Sequence, residues 1–142
     1  MSRSIFFVFV LAIFLVGCAS TPAQATTEII VEASDFAYKP ASITVPAGEH
    51  VTITLNNVGK VEHDFVVEKI NVTDVSASDT GPAAHHMGGY EPDYDLHFFA
   101  RAGDTETLKF TAFEPGAYEI FCTIEGHKEA GMIAQLVVAA QE

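Results

Sequence analysis

Gly116-Ala117-Tyr118-Glu119-Ile120-Phe121-Cys122 runs directly into Thr123-Ile124-Glu125-Gly126-His127-Lys128-Glu129-Ala130-Gly131-Met132. In the first half Tyr118, Ile120 and Cys122 share one side, and Ala117, Glu119 and Phe121 the other. That period of two predicts a β-strand, with Cys122 pointing the same way as Ile120. The second half brings Cys122, His127 and Met132 at intervals of five through a Gly-containing loop, and the chain then enters another alternating run at 134–139.

Working outward, the same signature recurs. Alternating or apolar runs at 28–33, 42–45, 50–56, 63–69, 96–100 and 106–111 join the two above to give eight predicted strands. Pro46-Ala47-Gly48, Asn56-Asn57-Val58-Gly59, Ala102-Gly103-Asp104 and Glu114-Pro115-Gly116 punctuate them as turns. No segment shows a convincing helical period. The predicted fold is therefore an all-β sandwich of about eight strands.

Alternation also assigns faces. Val51, Ile53 and Leu55 share one, which leaves His50 on the other as a solvated strand residue; His63 falls with Phe65 and Val67, pointing toward the core. The stretch 71–95 is too long for a simple turn and is rich in Gly, Asp, His and Ser, as functional loops are.

Residues 5–16 form an uninterrupted apolar run of 12 residues behind a single cation, Arg3, too short to span a bilayer but suited to an export signal. It ends in Leu15-Val16-Gly17-Cys18, which resembles a bacterial lipobox, so cleavage before Cys18 and acylation of its thiol are expected. This divides the chain into a signal peptide (1–17), a small, polar tether (18–27) and one folded domain (28–142) anchored outside the cytoplasm. Of the two cysteines, Cys18 then belongs to the lipid anchor, and Cys122 is an unpaired thiol that needs an explanation in an exported protein. With 7 Lys+Arg against 19 Asp+Glu the net charge is −12, which excludes phosphate-backbone binding as a default and fits the steering of basic partners.

A thiolate, an imidazole and a thioether in one loop, with a second inward imidazole from a distant strand, form the donor set of a mononuclear type 1 copper site. Cys122, His63 and His127 would make a trigonal plane and Met132 a weak axial ligand. Such a mixed donor set accepts both Cu(I) and Cu(II). It presents no open position for a substrate.

These residues, with the Pro46-Ala47-Gly48 turn, make the chain from residue 28 to 139 similar to the cupredoxins, the small blue-copper proteins of the plastocyanin, azurin and auracyanin group. The resemblance implies a Greek-key sandwich, one copper held by His63, Cys122, His127 and Met132, and exit of the electron at the edge of His127. Two positions depart from the family pattern. Asp64 stands where Asn or Ser often follows the first His, and an ionised carboxylate there favours Cu(II) and lowers the potential. Glu125 stands where Pro often precedes Gly-His, placing charge near His127.

The expected function is single-electron transfer between redox partner proteins by a membrane-tethered monomer. The rival is a copper-binding protein for metal delivery or storage. An enzyme is not expected, because copper reductases and oxidases of this kind need further domains and His clusters, and a dinuclear copper centre would need a second thiolate. Two alternatives stay open at the site itself, a metal-free relative and zinc, although the thioether argues against zinc. His85, His86, Met87, Glu91, Asp93, Asp95 and His97 make either a second, solvent-facing copper site, a lid over the first, or a hydrated acidic loop. Arg101 and Lys109 are expected to be surface charges, and Glu125 and Glu129 a solvated rim beside His127.

Overall fold

A computed structural model describes residues 25–78 and 94–141 of the chain. The described residues contain ten strands: β1 (Thr26–Ser34), β2 (Ala37–Lys39), β3 (Ser42–Pro46), β4 (His50–Asn57), β5 (His63–Val67), β6 (Val72–Ala77), β7 (Leu96–Ala100), β8 (Thr105–Ala112), β9 (Gly116–Phe121) and β10 (Ile133–Ala139). No helix occurs among them. All eight predicted strands are present, with ends displaced by at most two residues; β1, for instance, begins at Thr26.

The count of eight is corrected by β2 and β6. β2 has only three residues, beyond a two-residue turn, and shows no period of its own. β6 lies inside the stretch expected to be irregular and is almost wholly exposed, so Val72-Thr73-Asp74-Val75-Ser76-Ala77 had no buried face to impose alternation. A bulge between Thr73 and Ser76 breaks its register against β8.

The strands form two five-stranded sheets, in the orders β2-β1-β4-β8-β6 and β3-β10-β9-β5-β7. β1 runs parallel to β4, and β3 to β10, while the remaining pairs are antiparallel. Neighbours are mostly non-consecutive along the chain, giving a Greek-key sandwich. Val31, Val51, Ile53, Leu55 and Phe110 from the first sheet meet Phe65, Phe98, Ile120 and Leu136 from the second in one core. Burial of such side chains supplies the main favourable term, about 1.5–3 kcal/mol each. β4 alternates without interruption between half-buried and buried positions, as its sequence requires, and His50 is half-buried with Nδ1 2.9 Å from Thr111 Oγ1. β5 differs in being buried at all five positions.

The antiparallel pairing of β5 with β9 aligns Val66 with Phe121. The start of β5 therefore lies beside the end of β9. His63 and Asp64 come next to Cys122 and Thr123 at that end of the sandwich.

Candidate metal centre

His63 opens β5, and Cys122 follows β9 directly. His127 is carried by the loop between β9 and β10, which is braced by its own backbone: His127 N–H donates to Ile124 O at 3.0 Å, Ala130 N–H to Gly126 O at 3.0 Å, and Met132 N–H to His127 O at 2.9 Å. Gly126 and Gly131 sit at φ 81° and 97°, where a side chain would be strained, and they turn the chain immediately before His127 and before Met132.

The donor atoms of His63, Cys122 and His127 lie within 4.8 Å of one another, and all three residues are buried. Cys122 Sγ is 3.4 Å from His127 Nδ1, and the imidazole centroids are 5.1 Å apart. His63 is fully enclosed, yet neither Nδ1 nor Nε2 finds a hydrogen-bond partner among the described residues. A buried polar nitrogen is rarely left unsatisfied. One beside a thiol and a second imidazole has the arrangement of a metal donor, and this soft and borderline set suits copper or zinc. Met132, which ends the same loop, is completely buried.

Burial dominates the electrostatics. It pushes the Cys122 thiol up to about 11, against the opposing pull of the Asp64 and Ile124 backbone N–H groups. Burial also holds His63 below the usual imidazole range, helped by the neighbouring His127 and opposed by Asp35. The Asp35 carboxyl is held low chiefly by the backbone N–H of Lys60.

Several residues act from behind the donors. Asp64 is completely buried. Its backbone N–H donates to Cys122 Sγ at 3.5 Å, its carbonyl accepts the Tyr38 hydroxyl, and its carboxylate accepts the Thr123 hydroxyl. His97 Nε2 stands 3.6 Å from that carboxylate. Asp35 Oδ1 is 3.6 Å from His63 Nε2, and the Phe36 ring meets His127 edge-on with centroids 5.2 Å apart. Sequence spacing pointed to none of the roles of Asp35, Phe36, Tyr38 or Thr123: the first three reach the site from another strand or turn, and Thr123, though next to Cys122, acts through the distant Asp64.

The predicted rim is found in part. Glu125 and Glu129 are exposed, as are Arg101 and Lys109. Phe36, Val58 and Val61 are exposed apolar side chains, the first against His127 and the others on the loop leading to His63. Lys128 lies 3.9 Å above the Phe121 ring and 2.5 Å from Glu119. Of the possible second cluster, Asp95 is engaged by Lys69 and by the Ile70 N–H, and His97 turns toward Asp64. His85, His86, Met87, Glu91 and Asp93, like Cys18 and the whole leader, lie outside the described residues.

Comparison with known proteins agrees with this geometry. The profile of the cupredoxin-like domain matches residues 6–85, a stretch that contains His63 and ends before Cys122. Plastocyanin from Dryopteris crassirhizoma is 34% identical over 115 residues, covering 80% of this chain and 99% of that protein. The copper-resistant cuproprotein CopI of Rubrivivax gelatinosus is 32% identical over 116 residues, covering 82% of this chain and 67% of CopI. The dithionite-reduced auracyanin of Roseiflexus castenholzii superimposes with a TM-score of 0.61 at 25% identity, over 80% of this chain and 97% of auracyanin. With the sandwich, the buried His-Cys-His group and these relatives in agreement, the chain belongs to the cupredoxin-like family.

Proposed function

We propose that this protein is a single-electron carrier whose one type 1 copper is held by His63, Cys122, His127 and Met132. The observation that carries the reading is the enclosure of three donors within 4.8 Å, one of them a buried nitrogen with no other partner. Bound copper supplies a one-electron Cu(II)/Cu(I) couple. The rest is work of the chain. His63 and Cys122 are fixed by the pairing of β5 with β9, and His127 and Met132 by the braced loop, so the donors keep one arrangement in either oxidation state. Met132 would supply a thioether as the weak fourth donor, and its complete burial with His63 and Cys122 keeps water out. His127 is the donor nearest solvent, 8% exposed beside the exposed Phe36, and its edge is the route for the electron.

The partners are redox proteins, reached from a membrane surface if Cys18 carries the lipid that its lipobox-like context suggests, on the extracytoplasmic side. A net charge of −12 favours a partner with a basic face, so transfer should slow as salt screens the attraction.

The test is the visible and EPR spectrum of the protein after addition of Cu(II). An intense blue band with narrow copper hyperfine splitting, both lost in Cys122→Ser, supports the reading; a colourless protein with no tightly held copper removes it. A second reading, copper delivery or storage, is favoured by the similarity to CopI, described as a copper-resistant cuproprotein. Reversible voltammetry with slow metal loss supports the carrier, whereas rapid passage of Cu(I) to an apo acceptor supports delivery.

A further inference from the structure

The two-residue turn between β1 and β2 touches both imidazoles. Asp35 reaches His63, with Oδ1 3.6 Å from Nε2, and Phe36 reaches His127, with rings at 78° and centroids 5.2 Å apart. No other pair of consecutive residues described above does this.

The turn is built for the purpose at some cost. Phe36 sits at φ 66°, a left-handed conformation that a bulky side chain rarely adopts and that this turn position normally gives to Gly or Asn. Core packing does not explain it, since the ring remains 49% exposed. What the conformation achieves is the edge-on contact with His127. Asp35 is similarly placed by a specific bond, accepting the Lys60 N–H at 3.0 Å, which ties the turn to the loop preceding His63. That loop leaves room at Gly59, where a Cβ would stand 2.7 Å from His63 Nε2 and 2.8 Å from Asp35 Oδ1.

We propose that the Asp35-Phe36 turn is a positioning device for both histidine donors and sets the balance between the two oxidation states. Neither ring nitrogen of His63 has a hydrogen bond among the described residues, but only Nε2 faces a carboxylate, at 3.6 Å, and that charge favours the tautomer with its proton on Nε2 and leaves Nδ1 as the donor. It also raises the basicity of the imidazole, which favours the more highly charged ion. Phe36 limits rotation of the His127 ring and covers part of its edge. This role rests on the copper reading above.

The experiment compares the copper-loaded wild type with Asp35→Asn, Asp35→Glu and Phe36→Ala by voltammetry and by NMR of the reduced, diamagnetic protein. Asp35→Asn is expected to weaken Cu(II) binding relative to Cu(I) by up to about tenfold, a rise in midpoint of up to about 59 mV for one electron. Asp35→Glu keeps the carboxylate and a midpoint near that of the wild type. Phe36→Ala is expected to broaden the His127 ring resonances. Midpoints and His127 resonances unchanged in Asp35→Asn and Phe36→Ala, with only thermal stability lowered, would overturn the proposal and leave the turn a purely structural hairpin. Failure of the copper reading is distinguishable from this, because the wild type itself would then show no blue band.

Discussion

The backbone N–H of Asp64 donates to Cys122 Sγ at 3.5 Å, while the same residue's buried carboxylate is held by the hydroxyl of Thr123, the neighbour of that cysteine. One residue thus brings to the cysteine sulfur both a hydrogen bond and a carboxyl group that, when ionised, adds negative charge beside it. The hydrogen bond is a backbone property, and the charge is not. Asp64→Asn keeps the N–H and the side-chain shape and removes only the charge, so it is expected to raise the reduction potential, by about 60 mV for a tenfold change in relative affinity. Voltammetry of the copper-loaded variant checks this, and an unchanged or lower midpoint would count against the electrostatic role.

Gly59 is the second point at which a small change should be felt at the metal. A methyl group there would lie 2.7 Å from His63 Nε2, closer than a Cβ normally comes, so the imidazole or the loop must move. Gly59→Ala is expected to lower copper affinity by about 10- to 100-fold, in the range found when supporting contacts of a ligand are disturbed. A competition titration against a chelator of known affinity measures it. Wild-type affinity would mean that the loop yields without disturbing His63.

What could be read in the chain beforehand follows the range of the interactions concerned. Cys122, His127 and Met132 share one loop, so their chemistry was visible as spacing. His63 was placed on the face of Phe65 and Val67 by the side-chain alternation of a strand, although β5 is buried at all five positions and so carries no period of two in its burial. β6, with no buried face, left no such trace, and β2 is too short to leave one. Asp35, 28 positions before His63, and Asn57, 43 before Ala100, act through contacts that only the sheet topology creates. Their local sequence reads simply as turn residues.

The thiol of Cys122 makes metal uptake depend on pH. Burial pushes it up to about 11, so without metal it carries its proton at pH 7, and a thiolate ligand must lose it. One proton should therefore leave Cys122 for each copper bound, and apparent affinity should fall about tenfold per unit decrease in pH over the neutral range. Calorimetric titrations in two buffers of different ionisation enthalpy count that proton. The same shift has a consequence for stability without metal. The folded thiol titrates above the ordinary value of 9.0, so its contribution is fully present below pH 9 and is lost as the pH rises toward about 11.

Asn57 carries the last prediction, and its energetics are independent of the metal. Its side chain is 99% enclosed, being 1% exposed, and is fully used: Nδ2 donates to Val61 O and Ala100 O, each at 2.8 Å, and Oδ1 accepts the Gly59 N–H at 2.8 Å. One amide therefore joins the end of β4 to the loop before His63 and to the end of β7. Asn57→Ala leaves these groups without their partner and is expected to cost about 3 kcal/mol, since each buried group left unsatisfied costs roughly 1–3 kcal/mol. Asn57→Asp has nearly the same shape yet should be worse at neutral pH, because a carboxylate has no donor to offer and would face two carbonyl oxygens. Its burial among acceptors raises the folded-state pKa above the unfolded one, so the protonated form is favoured and the loss shrinks as the pH falls toward the unfolded value, about 4. Guanidinium unfolding of the metal-free proteins at two pH values tests both parts. If Asn57→Asp matched the wild type at neutral pH, the amide would not be the donor on which these three segments depend.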